Sequence, residues 1–207
     1  MLYVYIAKAD NVSHFSLPSF FGKEKEKIEK IKNEKARLET TLSHILLRKA
    51  LFDIHKKEIE SLSYTKEGKP YIDGFEYDFS LSHSNGVCCV VISDKRGERV
   101  GIDIETKEVD KERLLRIEKR FLSKFDIPTI SSTINAKFFI YREEWKSISP
   151  RVTVGDAALT KWTRLEAYLK MRGTGFCDTG TELIENTEFS SYDFENFIIS
   201  IAKEKIK

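Results

Sequence analysis

Apolar and polar positions alternate with two periods along this chain. The opening LYVYIAKA, Leu2 to Ala9, is rich in aromatic and β-branched residues and reads as a strand. After the loop DNVSHFSLPSFFG the period lengthens: Leu38, Leu42, Ile45, Leu46 and Phe52 recur at helical spacing and predict an amphipathic helix packed on a core. Its upstream end, Lys23 to Lys35, is almost pure alternating charge and reads as a solvated helix face. LSYTKEGKPYI carries a turn signal at Gly68-Lys69-Pro70 between extended segments. YDFSLSHSNGVCCVVISD gives a strand, a polar turn at Ser84-Asn85-Gly86 and a second, continuously apolar strand. A turn at Lys95 to Glu98 leads into VGIDIE, where Val100, Ile102 and Ile104 alternate with Gly101, Asp103 and Glu105.

A second helix is expected from Lys111 to Ser123, on Leu114, Leu115, Ile117 and Phe121. Residues 125–150 yield no assigned element, although Phe138, Phe139, Tyr141 and Trp145 imply packing. Asp156 to Arg172 predicts a helix of strong formers without interior proline or glycine, stopped by Gly173. The tail ELIENTEFSSYDFENFIISIA reads as strands closing a sheet. The order strand, helix, strands thus occurs on both sides of about residue 98. An α+β fold follows, either two similar lobes, residues 1–98 and 99–207, or one fused domain.

The 207 residues suffice for a real core, and 41% hydrophobic with 12% aromatic residues argue against disorder. Charged residues are abundant but nearly cancel to +2, so no global basic field points to nucleic acid. The apolar run at the N-terminus is too short for a signal peptide, no segment is long enough for a membrane span, and three cysteines, Cys88, Cys89 and Cys177, form neither a zinc pattern nor an even disulfide set. A cytoplasmic protein with reduced thiols is expected.

Charge placement narrows the picture. Residues i and i+2 of a strand share a face about 6.6 Å apart, so Asp103 and Glu105 point one way and the isoleucines point into the core. Two readings are open: an edge strand with an acidic solvent face, or carboxylates sharing a cation. On the last long helix Trp162, Glu166 and Lys170 fall at i, i+4 and i+8 on one face, which an intrahelical Glu-to-Lys pair would also explain. Joined, Asp103, Glu105 and Glu166 make an all-oxygen set suited to Mg²⁺, with Lys170 beside it for a phosphate oxygen. His83, between Ser82 and Ser84, and Lys69 in the GKP turn are further anion contacts; His14, His44 and His55 read as surface residues.

The ordered set GKPYI, FSLSHS, VGIDIE and WTRLEAYLKMRGTG resembles the 4′-phosphopantetheinyl transferases of the larger, surfactin-synthetase-activating type, over about Lys25 to Gly175. The resemblance implies a single chain of two similar α/β lobes, the pseudo-dimeric fold of that family, with coenzyme A contacts from residues 1–98 and the metal carboxylates and catalytic helix from 99–207. It implies Mg²⁺-dependent transfer of the phosphopantetheine arm of coenzyme A to a serine of an acyl or peptidyl carrier protein, releasing adenosine 3′,5′-bisphosphate. Carried over by position, Asp103, Glu105 and Glu166 correspond to metal ligands, Glu166 also to a general base, and Lys170 to a pyrophosphate contact with a catalytic role. Lys69, Ser82 and His83 correspond to coenzyme contacts, His83 at a phosphate and Lys69 near the adenine. Lys27 and Lys30 correspond to basic residues of the first helix. Three departures stand out: Leu165 where the family often has lysine, Ser80 where it has asparagine, and Glu39 where it has an arginine, for which Arg37 is a displaced substitute. A monomer is expected. The rival readings are a Mg²⁺-dependent hydrolase acting on another pyrophosphate or nucleotide, which the lack of a P-loop or Gly-rich fingerprint disfavours, and a non-catalytic module that binds a carrier protein.

Overall fold

The computed structural model describes residues 1–15, 20–153, 157–175, 184 and 186–205. It is a mixed α+β fold. In chain order the strands are β1 (Leu2–Lys8), β2 (Ser63–Tyr64), β3 (Pro70–Tyr71), β4 (Phe79–Ser84), β5 (Val87–Ser93), β6 (Val100–Thr106), β7 (Ala136–Arg142), β8 (Glu144–Ile148), β9 (Arg151–Thr153), β10 (Thr187–Asp193) and β11 (Phe197–Glu204). The helices are α1 (Gly22–Glu29), α2 (Glu34–His55), α3 (Lys111–Arg120) and α4 (Ala158–Arg172).

Two sheets form the centre. One has the order β4-β5-β1-β7-β8, the other β6-β11-β10-β9, and β2 and β3 make a small separate hairpin. β1 runs antiparallel to β5 and parallel to β7, so β7 and β8, from beyond residue 98, extend the sheet begun by β1. Strand alternation divides the core. Val4, Ile6, Cys89 and Val91 meet Ile102, Ile104, Ile199 and Ile201 between the sheets, while Tyr5, Cys88, Val90 and Ile92 turn outward against Leu42, Leu46 and Leu47 of α2. The other face of the second sheet packs Phe189 and Ala202 against Leu165, Tyr168 and Leu169 of α4. The layers therefore run α2, sheet, sheet, α4.

The facing edges of the two sheets are joined by side chains. Asp78 and the β4 serines Ser80 and Ser82 accept hydrogen bonds from Val100 N (2.9 Å), Ile102 N (3.2 Å) and Ile104 N (3.3 Å), the outward N–H groups of edge strand β6. Buried backbone donors must find acceptors, and alternate short polar residues on β4 supply them at the strand period of two. Ser80, shorter than asparagine, fills this role.

Several expectations change. The single helix read from Lys23 onward is two, because the Asn33 side chain accepts from Ala36 N (2.9 Å) and caps a new start. The upstream charged run is not uniformly solvated: Glu24 is fully buried, accepting two bonds from Arg48 (both 2.8 Å) and pairing with His44 Nδ1 (2.8 Å). His44 is thus a buried residue rather than a surface one, and His55 is half-buried, 2.9 Å from Ser93 O. Leu38 and Phe52, expected in the core, are 37% and 49% exposed, since the α2 stripe that meets the sheet is centred on Leu42, Leu46 and Leu47. The segment 125–150, without assigned elements from sequence, contains β7 and β8. α4 ends as expected, at Gly173 with φ +70°, its N–H bonded to Leu169 O. Asp156 and Cys177 lie outside the described residues. Cys88 and Cys89 are free and buried in β5. Among the described residues no helix is long and apolar enough to cross a membrane.

Candidate active site

Where β4, β6, α2, α4 and the β2–β3 hairpin meet, they enclose a cavity of about 610 Å³. Its walls include Lys27, Lys69, Ser82, His83, Asp103, Glu105, Glu166 and Lys170, so eight of the nine site residues expected from sequence line one space. Lys30 does not. It is exposed at the C-terminal end of α1, 3.6 Å from Glu26, and is not among the residues lining the cavity.

Gly101 makes the close approach of α4 to β6. It shares a face with Asp103 and Glu105, and a Cβ there would overlap the carbonyl oxygen of Ala167 and lie 2.5 Å from Met171 N. Without that side chain the backbone of α4 rests on the strand, and Lys170 reaches the carboxylate. Lys170 Nζ is 2.6 Å from Asp103 Oδ1 and donates to Ser82 Oγ (2.8 Å), whose own hydroxyl donates to the same Asp103 oxygen (2.8 Å). Asp103 is 4% exposed, so its face is no acidic solvent edge. Glu105, one step along the strand, accepts from Ser84 Oγ (2.7 Å) and Arg113 (3.2 Å).

Burial dominates the electrostatics. It pushes Glu166 up, and the neighbouring Asp103 and Glu105 charges add to this against Lys170 and Arg113, so that Glu166 titrates at about 7. Burial likewise pushes Asp103 up against the pull of Lys170 and Ser82. For Lys170 burial works downward, but Asp103 and Glu166 outweigh it and hold the ammonium above its ordinary value. The cluster is short of positive charge: Lys170 serves both the buried Asp103 and the half-buried Glu166, with Arg113 acting more weakly on Glu166.

That shortage bears on the expected metal. Asp103 Oδ2 is buried without a hydrogen-bond partner, the nearby donors are carboxylate oxygens, and hard divalent cations take such oxygens. Among the described residues no three His, Cys, Asp or Glu side chains are grouped as a ready ligand set, and Glu105 is engaged by Ser84 and Arg113. The residues fit Mg²⁺ in kind and charge, with Glu105 released from those partners.

The remaining expected contacts are partly committed. Lys69 Nζ donates to Asp78 Oδ2 (2.7 Å) and Met171 O (3.2 Å), tying the hairpin to the end of α4, and burial lowers its pKa against the pull of Asp78. Lys27 lies 4.1 Å above the Tyr64 ring, and burial lowers it too. His83 Nδ1 is 2.9 Å from Glu39 Oε2. Arg37, considered as a displaced basic contact, is exposed and outside the cavity wall. Leu165 is fully buried against the second sheet.

Arg113, Thr40 and Tyr64 line the cavity and were not expected from the sequence; Glu39, singled out there only as a departure from the family's arginine, backs His83. A lone arginine eight residues past Glu105 carries no spacing signal. Compared with known proteins, the sequence matches no family model and no curated protein.

Proposed function

We propose that this protein transfers the 4′-phosphopantetheine arm of coenzyme A to a serine of an acyl or peptidyl carrier protein, as a monomeric, cytoplasmic, Mg²⁺-dependent phosphopantetheinyl transferase. One observation carries the reading: Asp103, Glu105, Glu166 and Lys170 share a single cavity with His83 and Lys69, the outermost of them, Lys69 and Lys170, 101 positions apart. The cavity's volume of about 610 Å³ is in the range that holds a cofactor-sized ligand. The repeated-lobe expectation has support in the topology. β1-α2-β4-β5 and β6-α4-β10-β11 follow the same order, with strand neighbours β4-β5-β1 and β10-β11-β6. Residues of both contribute to the cavity.

In this reading Asp103, Glu105 and Glu166 would hold Mg²⁺, which when bound neutralises pyrophosphate charge. Lys170 holds a pyrophosphate oxygen as a compact cation. Glu166 accepts the proton of the incoming serine hydroxyl. The serine oxygen bonds to the phosphorus bearing pantetheine, the bond from that phosphorus to the bridging oxygen breaks, and adenosine 3′,5′-bisphosphate leaves with the electron pair. Ser82 keeps Lys170 and Asp103 in register, and positioning supplies much of the rate. Arg113 on α3 lines the cavity, and Arg116, Lys119 and Arg120 follow it on the same helix, basic charge suited to an acidic carrier helix.

The test is mass spectrometry of acyl and peptidyl carriers incubated with coenzyme A and Mg²⁺. The reading expects the phosphopantetheine adduct on serine with the wild type, and at least about a hundredfold slower loading by Asp103→Ala or Glu166→Ala with unchanged circular dichroism. Normal loading by either variant removes the metal assignment. Turnover of coenzyme A or a nucleotide without a protein acceptor marks a hydrolase instead, and tight coenzyme binding without turnover marks a binding module.

A further inference from the structure

We infer that Glu39 and His83 make one end of the cavity an acceptor for a ribose hydroxyl, so that the favoured donor is dephospho-coenzyme A, in which a hydroxyl replaces the ribose phosphate of coenzyme A. The inference rests on the transferase reading for the identity of the ligand and on the following geometry for its preference. Glu39 is buried behind His83, with Oε1 accepting from Gly86 N (2.5 Å) and Oε2 lying 2.9 Å from His83 Nδ1. A carboxylate that already accepts from a backbone N–H offers only lone pairs, so His83 Nδ1 carries the hydrogen. In the neutral ring Nε2 is then an acceptor.

The neighbour of Nε2 does not satisfy it. Thr40 Oγ1 is 3.4 Å away, but its hydroxyl hydrogen is given to Ala36 O at 2.8 Å. Nε2 therefore presents a lone pair to a cavity that His83 and Thr40 both line. A ligand hydroxyl can donate to it, whereas a phosphate oxygen meets lone pair against lone pair with the Glu39 charge behind. Burial also keeps the imidazole below its ordinary pKa in spite of Glu39, with Lys170 acting in the same direction and Asp103 against it. The same logic governs nucleotide sites in which a carboxylate selects a ribose hydroxyl and an arginine selects a ribose phosphate. Transfer from dephospho-coenzyme A balances with the serine–phosphorus bond formed, the pyrophosphate bridge broken and adenosine 5′-monophosphate released.

Glu39 is a positioning residue, since it acts through His83, and its readout is a ratio between two donors that a merely structural role would not move. The experiment is calorimetric titration of the full chain with coenzyme A and with dephospho-coenzyme A, alongside carrier loading from each. The expected result is at least about tenfold tighter binding of the dephospho form by the wild type. Glu39→Gln is expected to bring the ratio to within about threefold, and Glu39→Arg to reverse it, with circular dichroism checking that each variant folds. Equal or tighter binding of coenzyme A by the wild type, a ratio unchanged in Glu39→Gln, or binding of neither donor overturns the inference. A dephospho preference without loading of any carrier upholds it and rejects the transferase reading.

Discussion

Gly101→Ala tests the structural premise of the site. A methyl group at this position would overlap Ala167 O and sit 2.5 Å from Met171 N and 2.9 Å from Met171 Cβ, and two of these three atoms belong to the backbone of α4. A helix backbone packed on a strand cannot rotate a side chain out of the way, so helix and strand must separate. Overpacking costs about 1–3 kcal/mol where side chains can adjust; with backbone on both sides the upper end, about 3 kcal/mol, is expected. For a chain of this size that corresponds to a drop of about 6–12 °C in melting temperature. Separation also draws Lys170 from Asp103, now 2.6 Å apart, and misplacement of about 1 Å at a reacting centre costs about a hundredfold in rate. The assay is thermal unfolding with carrier loading measured on the folded variant. Gly74→Ala is the control: its φ of +71° brings backbone strain, but nothing lies within 4 Å, so it loses some stability and keeps full activity. A Gly101→Ala protein melting within about 2 °C of wild type would refute the claim that this contact sets the spacing of helix and strand.

Two further outcomes follow from the buried charges. Glu166 titrates at about 7 when folded against an ordinary 4.5, so the folded state binds the extra proton between these values and stability falls as pH rises through them, then levels. In chelator-treated buffer Glu166→Gln is therefore expected to match wild type near pH 4.5 and to melt several degrees above it at pH 8; parallel melting curves across that range would count against the raised value. Arg48→Met strips the fully buried Glu24 of both guanidinium bonds and leaves it only His44, a loss of about 3–5 kcal/mol that urea denaturation would register. The Glu24 carboxyl is held near 2: burial works upward, but the His44 and Arg48 bonds prevail. Its contribution is thus complete above about 4.5 and lost as pH falls toward 2, a slope the variant, left with His44 alone, should show in weaker form.

Periodicity and end signals lie within a few residues of chain, and they determined much of this protein. The alternation of VGIDIE placed Asp103 and Glu105 on one face, the spacing of Trp162, Glu166 and Lys170 set a helical face, and Gly173 marked where that helix stops. Period two and period 3.6 are properties of local backbone geometry, so they need no partner to be read. Pairing over long separations has no such local trace. That Lys170 would meet Asp103 rather than only Glu166, that Arg113 would hold Glu105, and that Ser80 and Ser82 would serve the N–H groups of β6 depended on which edge met which. Glu24 and Glu39 show the same limit: Glu24 looked like its solvated neighbours in a run of alternating charge, and nothing local marked Glu39 as buried. Only the fold buried them, where Arg48 and His44 compensate one carboxylate and His83 with a backbone N–H compensates the other, because a buried charge persists only where donors from distant segments converge on it.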